Sequence, residues 1–135
     1  MRVYSQEIIG FMNLFEHVTR ANLKDCFLEG DTVVFVVEEG MMGKALGKQA
    51  SNIRKLSSLL KKQVRLLEFH PDPAQFVLGL LYPVKPQEVN FVEGAIHIVA
   101  HDMQEKGKIF GREKSNLKRV QEIVRKYFPV EIKVD

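Results

Sequence analysis

The sequence predicts an α+β fold built from two tandem units, each a three-stranded sheet covered by helices. Two observations lead to this prediction. One glycine- and lysine-rich segment occurs twice, and the same order of helical and strand patterns, α-β-β-α-α-β, surrounds both copies. The chain has 135 residues, 45% of them hydrophobic and 27% charged, which is enough for two small domains. We expect these domains at residues 1–70 and 71–135.

The first unit is predicted to open with a helix that Ser5 caps, followed by a hairpin. Its strands are residues 24–29 and 32–37, separated by the turn pair Gly30-Asp31. A third strand, residues 64–69, follows the basic segment. The apolar stripe of the opening helix has the spacing i, i+3, i+4, i+7 and consists of Ile8, Phe11, Met12 and Phe15.

The second unit repeats this order. Asp72 is a suitable N-cap with Pro73 at the first helical position, and Pro83 ends the helix. The strands that follow are predicted at residues 88–92, 95–100 and 130–134, and the last lies beyond the second basic segment.

The repeated segment lies between the second and third strand of each unit. Residues 43–56 read GKALGKQASNIRKL, and residues 107–120 read GKIFGREKSNLKRV, 64 positions later. After the central glycine, apolar residues step by three and four, as on one face of a helix. Each copy therefore predicts two helices joined by a short glycine turn.

The net charge of +3 conceals a strong polarisation along the chain. Residues 41–62 and 105–126 together hold 14 basic and 3 acidic residues, whereas the rest of the chain holds 6 basic and 14 acidic residues. Such a distribution is the electrostatic pattern expected of a protein that binds a polyanion.

The two turns have the composition of a phosphate site. They read Gly47-Lys48-Gln49-Ala50 and Gly111-Arg112-Glu113-Lys114, with a cation at the second position of each. Glycine lets a phosphate approach the backbone, and the helix that follows presents free N–H groups and the positive end of its dipole. We therefore expect a nucleic-acid phosphate to bind at each turn.

The segment from Leu46 to Ile53 resembles the KH signature, whose GxxG loop holds an RNA backbone. The order α-β-β-α-α-β resembles the type II KH domain, and two such units resemble the archaeal form of the transcription termination and antitermination factor NusA. The resemblance implies that single-stranded RNA is the ligand, that it is nascent transcript, and that the RNA polymerase complex is a further partner. The residues it places at the RNA are Lys44, Leu46, Gly47, Lys48, Gln49, Ala50, Asn52, Ile53 and Arg54 in the first copy, and Lys108, Phe110, Gly111, Arg112, Glu113, Lys114, Asn116, Leu117 and Lys118 in the second.

Both turns depart from GxxG at the last position. Ala50 is a small change that leaves the turn intact if its position is helical, whereas Lys114 adds bulk together with charge. Glu113 opposes phosphate binding, so we expect the first copy to be the better clamp. The alternative is a ribosome-assembly or protein-interaction adaptor in which these KH grooves no longer bind RNA.

Other chemistry is not indicated. The histidines do not have the spacing of metal ligands, and the sequence has neither a nucleotide-binding P-loop nor a nucleophile motif. We therefore expect no enzyme activity, cofactor, metal or small-molecule substrate. With no predicted signal peptide or membrane span, and with Cys26 as the single cysteine in an apolar stretch, we expect a cytoplasmic protein that does not bind a membrane.

Overall fold

The computed structural model describes residues 3–135, which divide into two compact units. The first unit ends at Phe69, and the second comprises His70–Asp135. The predicted order α-β-β-α-α-β is confirmed in both. Within the described residues, no helix is long and apolar enough to cross a membrane.

The first unit contains a three-stranded sheet in the order β1-β2-β3. Strands β1 and β2 are an antiparallel hairpin, and β3 pairs with β2 in parallel. The parallel pairing requires a crossover, which α2, a short 3₁₀ turn and α3 provide. The elements are α1 Gln6–Thr19, β1 Leu23–Glu29, β2 Thr32–Val37, α2 Met42–Leu46, the turn Lys48–Ala50, α3 Ser51–Leu60 and β3 Gln63–Glu68.

The second unit has the same topology. Its sheet has the order β4-β5-β6, with β4 antiparallel to β5 and β6 parallel to β5. The elements are α4 Pro73–Leu81, β4 Glu88–Val92, β5 Ala95–Val99, α5 Met103–Phe110, the turn Arg112–Lys114, α6 Ser115–Arg125 and β6 Glu131–Val134.

Each unit has an apolar core that includes residues of both its sheet and its helices. In the first, the rings of Phe15 on α1 and Phe35 on β2 stack with centroids 4.5 Å apart, and Leu56 on α3 is fully buried beside them. Cys26 lies buried in this core, the structural position that its apolar neighbours predict. In the second unit, Phe76 on α4 contacts Tyr127 and Phe128, which follow α6.

The sequence signals at the ends of α1 and α4 are confirmed. The Ser5 hydroxyl accepts a hydrogen bond from the amide of Ile8 at 3.2 Å, and the Asp72 carboxylate accepts one from Ala74 at 3.0 Å. Helix α4 ends at Leu81, two residues before Pro83. The observed strand ends differ from the predicted ones by one residue at most. A difference of this size is expected, because a residue pattern locates the middle of an element better than its ends.

Candidate nucleic-acid interface

The first basic segment forms a helix–loop–helix. Helix α2 ends at Leu46, and Gly47 reverses the chain with φ 71° and ψ −177° while its amide bonds to the carbonyl of Gly43 at 3.1 Å. The amide of Ala50 then returns to the carbonyl of Gly47 at 3.3 Å, and α3 begins at Ser51. The loop is thus a tight turn that places the start of α3 three residues after the cation Lys48.

The second basic segment has the same backbone. Gly111 has φ 72° and ψ 179°, and the amide of Lys114 bonds to its carbonyl at 3.2 Å. Gln49 and Glu113, the equivalent third loop residues, have φ/ψ of 56°/34° and 55°/33°. Since only the glycine is identical between the two loops, the turn conformation does not depend on the other side chains.

The last loop position, where the KH signature has its second glycine, is left-handed in both units. Ala50 has φ 57° and ψ 28°, and Lys114 has φ 62° and ψ 20°. The sequence predicts an intact turn if the position of Ala50 is helical. The position is not right-handed helical, yet the turn is intact. A non-glycine residue in this region costs about 1 kcal/mol, so each loop retains its shape at a cost in stability.

The first glycine of each loop is required by both backbone and space. Its combination of φ and ψ is one that glycine alone adopts readily. A Cβ atom on Gly47 would lie 2.7 Å from Nδ2 of Asn52, and a Cβ atom on Gly111 would lie 2.7 Å from Cβ of Asn116. No side chain fits there without displacing the asparagine.

The two asparagines connect the helices of each pair. The side-chain amide of Asn52 donates to the carbonyl of Lys44 at 3.3 Å, and that of Asn116 donates to the carbonyl of Ile109 at 3.1 Å. Each of these bonds closes the turn of its own motif. That Asn52 and Asn116 also contact RNA stays a prediction.

The predicted cations lie on the surface around each loop. Lys44, Lys48 and Arg54 are exposed in the first unit, and Arg54 donates from Nη1 to the carbonyl of Gln49 at 2.8 Å. The exposed cations of the second unit are Lys108, Arg112, Lys114 and Lys118. Glu113 is exposed among them, so the second loop presents a carboxylate where the first presents the amide of Gln49.

The helices that leave the loops begin without a side-chain cap among the described residues. Ser5, Asp72 and Asp102 cap α1, α4 and α5, whereas Ala50 and Lys114 provide no such bond to α3 and α6. Uncapped amides and the helix dipole favour an anion at these two N-termini.

An accessible apolar surface lies beside each loop. Leu46 and Ile53 in the first unit, and Phe110 and Leu117 in the second, are half-buried. Their neighbours Ala45, Leu56, Ile109 and Val120 are instead fully buried and belong to the cores. The half-buried set thus presents hydrophobic area to a ligand next to the cations.

One cation, Lys85, lies close to Lys108 of the second basic segment and is not identified by the sequence pattern. Lys85 lies outside both basic segments, but it lines a cavity of about 400 Å³ together with Lys108 of α5. Local patterns do not reveal this proximity, because the two lysines belong to separate elements. The other lining residues are Pro83, Val84, Asp102, Gln104 and Glu105.

Two histidines of the second unit, His97 and His101, have carboxylate partners. Nδ1 of His101 lies 2.9 Å from the Glu105 carboxylate, and Nδ1 of His97 lies 3.6 Å from that of Asp135. Hydrogen bonds from the backbone and then the side chain of His101 lower the pKa of Glu105. No three His, Cys, Asp or Glu side chains within residues 3–135 lie close enough together to hold a metal ion.

Comparison with known proteins agrees with this geometry. A family model of the KH domain matches residues 12–71, which contain the first loop. The "Probable transcription termination protein NusA" of Halobacterium salinarum strain R1 is 30% identical over 131 residues, which cover 94% of this chain and 93% of the relative. The chain belongs to the NusA family.

Two further comparisons extend along nearly the whole chain. The protein of the same name from Methanocaldococcus jannaschii is 28% identical over 132 residues, covering 94% of this chain and 70% of that relative of the NusA family. The crystal structure of APE1850 superposes with a TM-score of 0.79 at 24% identity, covering 98% of this chain and 100% of that one. At this identity the superposition shows the fold alone.

Proposed function

We propose that the chain binds single-stranded RNA through two type II KH domains, residues 1–70 and 71–135, and acts on nascent transcript in transcription termination or antitermination. The observation that carries this proposal is the shared loop backbone: Gly47 and Gly111 adopt the same φ and ψ within a few degrees and each precedes an exposed cation. The family model covers the first unit alone, so the second KH domain is part of the proposal.

Each loop combines three features that bind a phosphate. The glycine leaves room for close approach, the uncapped amides of α3 or α6 point to the loop, and Lys48 or Arg112 supplies positive charge. An RNA backbone carries one such anion per nucleotide, so neighbouring cations such as Lys44 and Lys108 have further phosphates to contact.

The half-buried apolar residues favour a single strand over a duplex. Leu46 and Ile53, like Phe110 and Leu117, can cover the faces of bases only if those bases are unstacked. A duplex keeps its bases stacked and presents phosphates alone. We therefore expect single-stranded RNA to bind more tightly than duplex RNA of the same length.

The role in transcription follows from the family. The relatives are named probable transcription termination proteins. RNA that emerges from the polymerase is single-stranded and is therefore a suitable ligand for such a protein. Contact with RNA polymerase is part of the proposal. In-vitro transcription with the cognate polymerase should show a change in pausing or termination when the protein is added, and no change would contradict this role.

RNA binding itself is tested by reversing one charge in each loop. Lys48→Glu and Arg112→Glu should each weaken binding of a single-stranded RNA about tenfold, because each removes a phosphate contact and adds repulsion. Lys48→Glu should have the larger effect, since Glu113 already opposes phosphate in the second loop. Filter binding at two salt concentrations measures both the loss and the smaller salt dependence.

Lys133→Glu is the matched control. It makes the same charge change at an exposed position on β6, outside both helix–loop–helix segments. If both loop variants bind RNA as the control does, while circular dichroism shows them folded, the loops are not the RNA site. Absence of RNA binding by the unmodified protein would favour the ribosome-assembly or protein-interaction adaptor.

A further inference from the structure

The two proposed RNA sites differ at the residue that precedes each loop glycine. Helix α5 ends at Phe110, whereas α2 ends at the equivalent Leu46. Both side chains are half-buried and adjoin their loops. The second site therefore has an aromatic ring where the first has an aliphatic side chain.

A face of the Phe110 ring is open to polar groups. Nζ of Lys114 lies over the ring, 5.7 Å from its centroid, within the range of a cation–π contact. An exposed ammonium keeps part of its hydration, so the ring face beneath it is not packed against the core. The first site has no equivalent pair, because Ala50 stands where the second has Lys114.

We propose that the second unit stacks one RNA base on the ring of Phe110 and that Lys114 moves from the ring to the phosphate of that nucleotide. The inference rests on the proposed RNA binding and deepens it. A phosphate attracts an ammonium more strongly than a neutral ring does, so an arriving nucleotide draws Lys114 aside and exposes the ring.

This arrangement makes the second site selective for purines. Stacking on an aromatic ring strengthens with the area of the base, and a purine presents two fused rings where a pyrimidine presents one. Leu46 offers no such surface, so the first site holds RNA with little regard to base identity. Glu113 weakens the phosphate contact of the second loop, and stacking compensates for that loss.

The test uses eight-nucleotide RNAs of uridine in which adenine replaces one position at a time. For the unmodified protein, one position should tighten binding about tenfold when it holds adenine. Phe110→Leu, which copies the first unit, should remove this preference, so that the adenine-containing RNAs bind this variant no more tightly than the all-uridine RNA does. Leu46→Phe should introduce a second adenine-sensitive position.

A spectroscopic measurement covers the case in which Phe110→Leu does not fold. With 2-aminopurine at the sensitive position, base fluorescence should fall on binding to the unmodified protein and to Phe110→Tyr, since both rings stack. Lys114→Ala, which copies Ala50, should keep this quenching and weaken binding severalfold through the lost phosphate contact. Unchanged fluorescence in the unmodified protein would contradict stacking.

The outcomes separate the two proposals. If no RNA of the series binds the unmodified protein, the proposed function is wrong and this inference is wrong with it. If the RNAs bind and adenine has no preferred position, or Phe110→Leu keeps the preference, RNA binding stands and the stacking role of Phe110 is wrong.

Discussion

The two helix–loop–helix segments have the same backbone and different side chains. The loops Gly-Lys-Gln-Ala and Gly-Arg-Glu-Lys differ at every position after the glycine. Their φ and ψ at the first, third and fourth positions nevertheless agree within about ten degrees. The conformation of the turn is thus determined by the two packed helices, the glycine between them and the hydrogen bond of one asparagine side chain. The second glycine of the KH signature is not needed for its shape.

The comparison also shows where the two sites diverge chemically. Each loop has a formal charge of +1, but in the first it comes from Lys48 alone, whereas in the second Arg112 and Lys114 flank Glu113. The first loop is a simple cation beside open amides. The second loop carries charges of both signs next to the ring of Phe110.

The largest effect should come from removing the loop glycines. Gly111→Ala should lower the free energy of unfolding by about 3 kcal/mol and Gly47→Ala by about 2 kcal/mol, because both force alanine into a glycine-only conformation. The new Cβ meets the backbone amide of Asn116 in the second unit, at 2.9 Å, but the movable end of the Asn52 side chain in the first. Urea denaturation measures both.

Gly43→Ala and Gly107→Ala are matched controls, one helical turn before each loop. Nothing lies within 4 Å of a Cβ atom added at either position. These variants should raise stability by about 0.5–1 kcal/mol, as alanine does in place of glycine within a helix. Equal loss at all four glycines would mean that the loop conformation has no special requirement.

Restoring the second glycine should have an intermediate effect of opposite sign. Ala50→Gly and Lys114→Gly should each raise the free energy of unfolding by about 0.5–1 kcal/mol, because glycine adopts the left-handed region without the Cβ penalty. Similar gains in both would sharpen the conclusion that the two backbones are equivalent. Thermal unfolding followed by circular dichroism provides the measurement.

Ala74→Gly tests the sign of that effect. It makes the same change as Ala50→Gly inside the right-handed helix α4, where glycine should destabilise by about 1 kcal/mol. If Ala50→Gly also destabilises, then the strain assigned to the left-handed position is absent.

The smallest effect concerns the start of α5, which has no equivalent at α2. The Asp102 carboxylate accepts from the amide of Glu105 at 2.8 Å, and the Glu105 carboxylate accepts from the amide of His101, the residue before the N-cap, at 2.9 Å. The Met41 side chain, which precedes α2, provides no such bond. The stability of the start of α5 should therefore depend on pH in the acid range, whereas that of the start of α2 should not.

The direction of that response follows from the lowered pKa of Glu105. Because its pKa in the folded protein is below the ordinary 4.5, the ionised carboxylate stabilises the folded state near neutral pH. That stabilisation is lost as the pH falls from about 4.5 through the folded pKa. Glu105→Gln should slightly lower the melting temperature at pH 7, and the difference should shrink below pH 4.5.

Glu122→Gln removes the same charge from an exposed position on α6 and serves as the control for net charge. Amide hydrogen exchange should show the Glu105→Gln effect at the start of α5. A difference that persists unchanged at pH 3, or that Glu122→Gln reproduces, would mean that the cap has no part in it.

The sequence alone determined the order of elements and the location of both loops. Ser5 and Asp72 identified helix starts because a capping side chain acts within three residues of its own position. The repeat, the polarised charge and the cations Lys48 and Arg112 were also readable, since exposure of a charged side chain follows from its cost of burial.

Tertiary structure alone decided the conformation and the partners of the loop residues. Ala50 and Lys114 are left-handed because packing fixes where α2 and α3, or α5 and α6, must meet, and local preference would place neither there. The bonds of Asn52 and Asn116 to the preceding helices and the position of Lys114 over Phe110 have the same origin. A sequence pattern reports which face of an element is buried, whereas these contacts depend on the distance between elements, which only the packed sheet and helices set.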